Sequence, residues 1–203
     1  MEAYDAHARV ISAALRGDTV ILSVAGADEN ERRRFRLTLE AYSACGAYKS
    51  GASLSHDDLD ALARASAESE AILAAERALA ASPKSARELY RNLRGKRHSH
   101  ENALLAVRTA KEKGWIREDD QLYRLVPYLA LRKLWGKRKL LPYLAAKGYA
   151  REAIENAVKR AETEGALDFS ELRARLLDKH GPQSEEEQKK LLYKHGFDVY
   201  TED

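Results

Sequence analysis

The chain has little of what catalysis or crosslinking commonly draws on. It holds a single cysteine, Cys45, which excludes an internal disulfide and any thiolate metal cluster. Six scattered histidines do little to replace it. The closest pair, His98 and His100, stands at i and i+2, where helical side chains point apart, and no further ligand is near in sequence. A Gly-x-x-x-x-Gly-Lys phosphate loop and the dinucleotide glycine pattern are both missing. Asp119-Asp120 opens a helical pattern, where the helix dipole accounts for paired acids. Cys45 lies beside Ala44 and Gly46, a setting for a small buried residue rather than a nucleophile. No catalytic activity, cofactor, metal or small-molecule substrate is expected.

Long apolar runs are absent too. None approaches the roughly 20 residues of a membrane helix, and the start, Met1-Glu-Ala-Tyr-Asp, lacks the basic and apolar regions of a signal peptide. The expectation is a cytoplasmic protein with no membrane partner. Nor does one sign of charge dominate: 33% of the 203 residues are charged but the formal net charge is only +3. Any partner must therefore be sought in how the charge is distributed.

What the sequence does have is a repeat. Ser85-Ala-Arg-Glu-Leu-Tyr-Arg-Asn-Leu lies over Gly136-Lys-Arg-Lys-Leu-Leu-Pro-Tyr-Leu, and the register continues without a gap to Gly114 over Gly165 and Ile116 over Leu167, a constant offset of 51. Self-similarity at such a period marks a repeat architecture. From Glu70 onward alanine, leucine, arginine and glutamate dominate and no strand alternation occurs. The first repeat reads as three helices. Glu70 to Ser82 turns Ile72, Ala75, Leu79 and Ala80 inward and is broken by Ser82-Pro83. Ser85 with Glu88 forms a capping box for the second, with Leu89 and Leu93 on its buried side. Ser99 caps the third, which buries Ala103, Ala106, Val107 and Ala110 and stops at Gly114. The second repeat runs from Asp119 or Asp120 through Trp135, then Gly136 to Lys147, then Arg151 to Glu164 with Ile154, Ala157, Val158 and Ala161 inward. Pro127 and Pro142 fall inside its first two helices, where local kinks are expected. A shorter third repeat has Asp168 with Glu171 capping one helix and Ser184 with Glu187 the next. Its Leu192-Tyr-Lys-His-Gly196-Phe197 matches Leu144-Ala-Ala-Lys-Gly148-Tyr149 at an offset of 48, and Asp198 to Asp203 is a frayed remnant or the place of a lost third helix.

Ahead of the repeats the signal is different. Thr19 to Ala25 alternates Val20, Leu22 and Val24, and Arg34 to Leu39 alternates Phe35, Leu37 and Leu39, with Gly26-Ala-Asp-Glu-Asn as the turn of a β-hairpin. The residues up to Arg16 read equally as a strand or a short helix. A short helix is expected from Leu39 to Cys45, a loop from Gly46 to Ser53, and a helix from Ser55, capped with Asp58, through about Arg64. A lone hairpin is marginal in water, so its apolar face must lie on one of these helices or those beyond. The expected fold is mainly α, with tandem three-helix repeats in an elongated arrangement behind a small N-terminal β-hairpin region. The expected boundaries are 1–66, 67–118, 119–167 and 168–203.

One stretch carries charge of a single sign. Gln121 to Arg151 contains Arg124, Arg132, Lys133, Lys137, Arg138, Lys139, Lys147 and Arg151 and no acidic residue. Interleaved with them are Tyr123, Tyr128, Trp135, Tyr143 and Tyr149, which could stack on unpaired bases or, at helical spacing, form core. A second cluster, Arg91, Arg94, Lys96 and Arg97, lies at the equivalent end of the first repeat. These twelve cations are the candidate footprint for phosphates or an acidic protein groove, set against the plainer reading of solvated helix faces. Arg32-Arg-Arg34 reads as a solvated turn.

The ordered set Ser85-Ala-Arg-Glu-Leu-Tyr-Arg-Asn-Leu, Glu112-Lys-Gly-Trp-Ile-Arg-Glu-Asp-Asp120, Leu144-Ala-Ala-Lys-Gly-Tyr149 and Leu192-Tyr-Lys-His-Gly-Phe197 resembles the RecX family of recombination regulators over about Glu70 to Phe197. Two places differ from the family pattern: Gln121-Leu122-Tyr123 stands for its Arg/Lys-Phe-Ala, and Leu134-Trp135-Gly136 for its Lys-Gly-Pro-like approach. The resemblance implies a non-enzymatic chain that binds the RecA recombinase filament on single-stranded DNA and damps strand exchange, ATP hydrolysis and coprotease activity. Two other classes stay open: a stand-alone helical nucleic-acid-binding module, since each unit is similar in outline to a helix-turn-helix domain, and a protein-interaction scaffold.

Overall fold

The computed structural model describes residues 8–26, 31–182 and 184–198. Four strands come first in the chain: β1 (Ala8–Arg16), β2 (Thr19–Ala25), β3 (Arg32–Thr38) and, after helix α1 (Leu39–Ala44), the short β4 (Ser53–Leu54). They form one antiparallel sheet in the order β3-β2-β1-β4. The residues up to Arg16, which the sequence left between strand and helix, are strand from Ala8. They pair with β2 across a two-residue turn in which Gly17 takes φ +57°, as tight hairpins require. The hairpin expected from the sequence is the β2–β3 pair, and residues 27–30 of its turn lie outside the described residues. The loop expected over Gly46 to Ser53 ends in β4, whose Leu54 pairs with Ala8.

Val20, Leu22, Val24, Phe35 and Leu37 are buried on one face of the sheet, together with Val10, Leu54 and Leu62. Leu39 does not continue the alternation. It opens α1 and stays exposed, because Thr38 caps that helix by accepting from the Ala41 N–H.

Helix α2 (His56–Ala81) is one helix of 26 residues, where the sequence suggested two with a break between Arg64 and Glu70. Ser55 and Asp58 form the expected capping box. The helix continues because its small polar residues have partners in the sheet. The Ser66 Oγ accepts from the Arg36 N–H at 2.9 Å and the Ser69 Oγ from the Thr38 N–H at 3.1 Å, so two outward N–H groups of edge strand β3 are satisfied by α2. Ser69 is 1% exposed. Ser69→Ala is therefore expected to strand a buried donor and lower stability by about 1–3 kcal/mol, measured by urea unfolding.

Further along α2 the buried stripe is alanine: Ala71, Ala74, Ala75 and Ala78. Ile72 and Leu79 are half-buried and Ala80 is exposed, contrary to expectation. Helix α4 (His100–Glu112) meets α2 through a second alanine stripe, Ala103, Ala106 and Ala110, with Val107 only half-buried. Small residues on both helices let the backbones approach closely, which leaves less room for the larger side chains.

Between them lies α3 (Ala86–Gly95). The Ser85 Oγ accepts from the Glu88 N–H, but Glu88 does not complete the expected capping box, its carboxylate being engaged by Lys147. The chain divides into two compact units within this helix, one of residues 1–82 and 89–115, the other of residues 83–88 and 116–203.

The second unit contains α5 (Glu118–Lys133), α6 (Lys137–Lys147), α7 (Arg151–Thr163), α8 (Phe169–His180) and α9 (Glu185–His195). α5 and α6 run on through Pro127 and Pro142. Its core gathers Leu122, Val126, Leu140, Leu144, Ile154, Val158, Leu172, Leu176 and Leu192, with Tyr149 and Phe197. The expected inward face of α7 (Ile154, Ala157, Val158, Ala161) is buried throughout. Of the C-terminal remnant only Asp198 is described; 199–203 lie outside.

A recurring joint within this unit explains the matching Gly148-Tyr149 and Gly196-Phe197 pairs. Gly148 ends α6 at φ +100°, and a Cβ there would stand 2.5 Å from the Arg87 Cβ at the start of α3. Gly196 ends α9 at φ +84°, and its Cβ would stand 2.5 Å from the Lys139 Cβ and 2.6 Å from the Lys139 amide nitrogen, at the start of α6. Hydrogen bonds close both joints: Ser85 Oγ donates to the Lys147 carbonyl at 2.6 Å, and the Gly136 and Arg138 N–H groups to the His195 and Gly196 carbonyls at 2.9 and 3.1 Å. The exposed N–H end of one helix thus meets the carbonyl end of another. At the equivalent place in the first repeat stands Arg97, exposed and also left-handed at φ +69°.

Candidate functional site

The acid-free stretch folds into α5, α6 and the start of α7, and its cations fall into two groups. Four meet carboxylates supplied by other parts of the chain or by their own helix. Lys137 pairs with Glu162 at 2.7 Å, Lys147 with Glu88 at 2.9 Å, Arg151 with Glu155 at 2.7 Å and Arg138, more loosely, with Asp198 at 3.9 Å. The Glu88 hydrogen bond, with its charge, holds the Lys147 pKa above the usual lysine value, so this cation ties α6 to the start of α3.

The other four, Arg124, Arg132, Lys133 and Lys139, have no carboxylate partner among the described residues. Three of them surround aromatic rings. Lys133 and Lys139 lie 5.8 and 5.3 Å from the Trp135 ring centre, whose edge meets Tyr143 at 5.2 Å. One turn back on α5, Arg132 donates to the Tyr128 hydroxyl and lies 5.6 Å from its ring. Tyr128 is 51% exposed, Leu131 41% and Tyr143 38%. The result is an exposed patch in which cations and π faces alternate, stabilised by cation–π attraction and open to a partner carrying anions or flat rings.

The remaining two aromatics of the stretch are structural. Tyr123 donates to Glu164 at 2.8 Å under the Arg160 guanidinium, and the buried Tyr149 donates to Gln121 at 2.8 Å. Burial first, then the nearby Glu118 and Glu88 charges, push the Tyr149 phenol up to about 12. Because the folded value lies above the ordinary one of about 10, the contribution of the neutral phenol is complete below that pH and is lost as pH rises toward 12. Tyr149→Phe is expected to flatten this part of the alkaline stability loss, measured by urea unfolding at a series of pH values.

The second cluster belongs to the first unit, at the end of α3 and beyond it. Arg94 donates to the His98 carbonyl at 2.6 Å, while Arg91, Lys96 and Arg97 are exposed. Of the histidine pair, His100 engages the Tyr90 hydroxyl through Nδ1 at 2.9 Å. No group of three or more His, Cys, Asp or Glu side chains placed to hold a metal occurs among the described residues. Nor is any described helix long and apolar enough to cross a membrane.

The carboxylate partners of Lys137, Arg138 and Lys147 lie 25 to 60 positions away in sequence, so a count over a local window misses them. The Trp135 patch was visible as interleaving, though the exposure of Tyr128 and Tyr143, the half-burial of Tyr123 and Trp135 and the full burial of Tyr149 were not.

No family model matches the sequence, and no curated protein matches it. Solved structures do. A crystal structure of regulatory protein RecX aligns over 95% of this chain and 97% of its own, with a TM-score of 0.71 and 16% identity. A crystal structure of RecX from Lactobacillus salivarius aligns over 65% of this chain and 89% of its own, with a TM-score of 0.55 and 16% identity. The chain therefore has the fold of these RecX structures, mainly helical with a small antiparallel sheet at its N-terminal end.

Proposed function

We propose that the protein is a non-enzymatic, cytoplasmic regulator that binds the RecA recombinase filament on single-stranded DNA and damps its recombinase, ATPase and coprotease activities. The reading is carried by the agreement of the ordered motifs over Glu70 to Phe197 with the fold of regulatory protein RecX. The patch of Arg132, Lys133, Trp135, Lys139 and Tyr143 supports it, since its cations suit phosphates or acidic side chains and its rings suit unpaired bases. Arg91, Arg94, Lys96 and Arg97 of the first unit are the second contact. The test is a DNA-dependent ATPase assay of RecA with the protein added at stoichiometric amounts. Inhibition is expected, and an unchanged rate rejects the reading.

The exposed rings also suit a second reading, a stand-alone nucleic-acid-binding module. Such a protein binds naked single-stranded DNA with a steep salt dependence and without recombinase, whereas the regulator needs the filament for tight binding.

A further inference from the structure

Away from the Trp135 patch, α6 and α7 line a cleft of about 430 Å3 that nothing in the residue pattern foretells. Its floor is aliphatic: Leu141, Pro142 and Ala145 from α6 and Ile154 from α7. Its rim is Lys137, Arg138 and Arg151, and no carboxylate lines it among the described residues. Pro142 and Ala145 are exposed and Leu141 is half-buried, on a helix that buries Leu140 and Leu144 on its other side. Pro142 also lacks the N–H that would bond the Arg138 carbonyl four residues back, which leaves that acceptor without its helical donor.

We propose that this cleft is the docking site for an acidic protein segment with an apolar anchor. The anchor side chains fill the floor over Leu141, Pro142 and Ala145, and flanking carboxylates meet Lys137, Arg138 and Arg151. A backbone N–H of the segment donates to the Arg138 carbonyl. The rim cations are available to such a segment because their present partners, Glu162, Asp198 and Glu155, form solvent-exposed pairs, which are individually weak. Charge complementarity alone would serve a phosphate backbone equally well. The floor decides between them, since it offers aliphatic surface and no ring on which a base could stack. The inference rests on the regulator reading and deepens it: the cleft reads the protein side of the target, and the Trp135 patch the nucleic-acid side.

The test uses the full chain and a short fluorescein-labelled peptide of aspartate and glutamate around a central Leu-Phe pair, followed by anisotropy. Saturable binding is expected. Replacing the Leu-Phe pair by serines is expected to weaken it about tenfold or more. Ala145→Glu, which places a carboxylate on the floor at an exposed helical position, is expected to do the same with circular dichroism unchanged. Should that variant misfold, Arg138→Gln with Arg151→Gln gives the same reading, a severalfold loss. The proposal is overturned if both peptides bind alike, if these variants bind like the parent, or if a dT oligonucleotide displaces the peptide. Peptide binding by a protein that leaves the RecA ATPase unchanged rejects the regulator reading and keeps the cleft. A protein that inhibits RecA but ignores the peptide does the reverse.

Discussion

Replacing Gly148 by alanine is expected to lower the unfolding free energy of the second unit by about 3 kcal/mol, the sum of left-handed backbone strain and overpacking against a fixed neighbour. The new methyl carbon would stand 2.5 Å from the Arg87 Cβ, which is fixed to the backbone, and 3.0 Å from the Ser85 Oγ, which its hydrogen bonds to Lys147 and Glu88 hold in place. Relief requires α3 to withdraw from α6, which breaks the Ser85–Lys147 hydrogen bond and the Lys147–Glu88 pair. Gly196→Ala meets the Lys139 amide nitrogen and Cβ, so its cost is comparable. Arg97→Gly is the matched control. The backbone is left-handed there too, at φ +69°, but the position is exposed, and relief of strain is offset by the added freedom of the unfolded chain. A change within about 1 kcal/mol is expected. Urea unfolding of the three variants checks the ranking; a Gly148→Ala loss of only about 1 kcal/mol, the left-handed strain alone, would show that the joint does not set the requirement.

The second large effect is on binding. Arg132→Glu, Lys133→Glu and Lys139→Glu combined are expected to weaken association with the RecA–single-stranded DNA filament about a hundredfold at physiological salt. Each reversal removes roughly 1 kcal/mol or more of attraction at the contact distances of a wet interface. The fold should survive. Arg132 and Lys133 occupy the last turn of α5, where glutamate is mildly unfavourable, and Lys139 the first turn of α6, where it is favourable, so the dipole effects largely offset. Co-sedimentation with filaments, alongside circular dichroism, is the measurement. Retained binding with intact helix content would move the contact away from Trp135. The same substitutions at Lys137 and Arg138 act on cations that already have Glu162 and Asp198 beside them, so a smaller loss of filament binding is expected there.

The parts of the fold that were legible in the sequence are those decided within a few residues. Ser55 with Asp58, Ser99, Asp168 and Ser184 with Glu187 cap helices where their spacing placed them, because a cap satisfies N–H groups only two or three positions on. The course of α2 was not legible. Ala65 to Ser69 looks like an interruption until the β3 edge is there to be satisfied by Ser66 and Ser69. Glu88 was misjudged for the same reason: its spacing from Ser85 suits a capping box, yet Lys147, far along the chain, takes its carboxylate. Gly148 and Gly196, each before an aromatic residue, could be counted in advance, but only the apposed starts of α3 and α6 explain why no side chain fits there. In the site, the excess of positive charge was evident. Its division into cations with and without a carboxylate partner depended, Arg151 with Glu155 aside, on distant acids, and the cleft over Pro142 depended on where α7 comes to rest.

The left-handed arginine after α3 gives the repeat a direction in which it can grow. A further module grafted after α9 would meet Ser184, the counterpart of the Ser85 that seats its helix on the neighbour, once the Ser184 hydroxyl turns from the Glu187 carboxylate to which it now donates. One inserted ahead of α3 would have to seat its helix start on residue 97, where the arginine carries the Cβ that Gly148 and Gly196 both omit. Tandem duplication can thus lengthen such a protein from its carboxyl end without altering an existing residue, and from the other end only after Arg97 has become glycine.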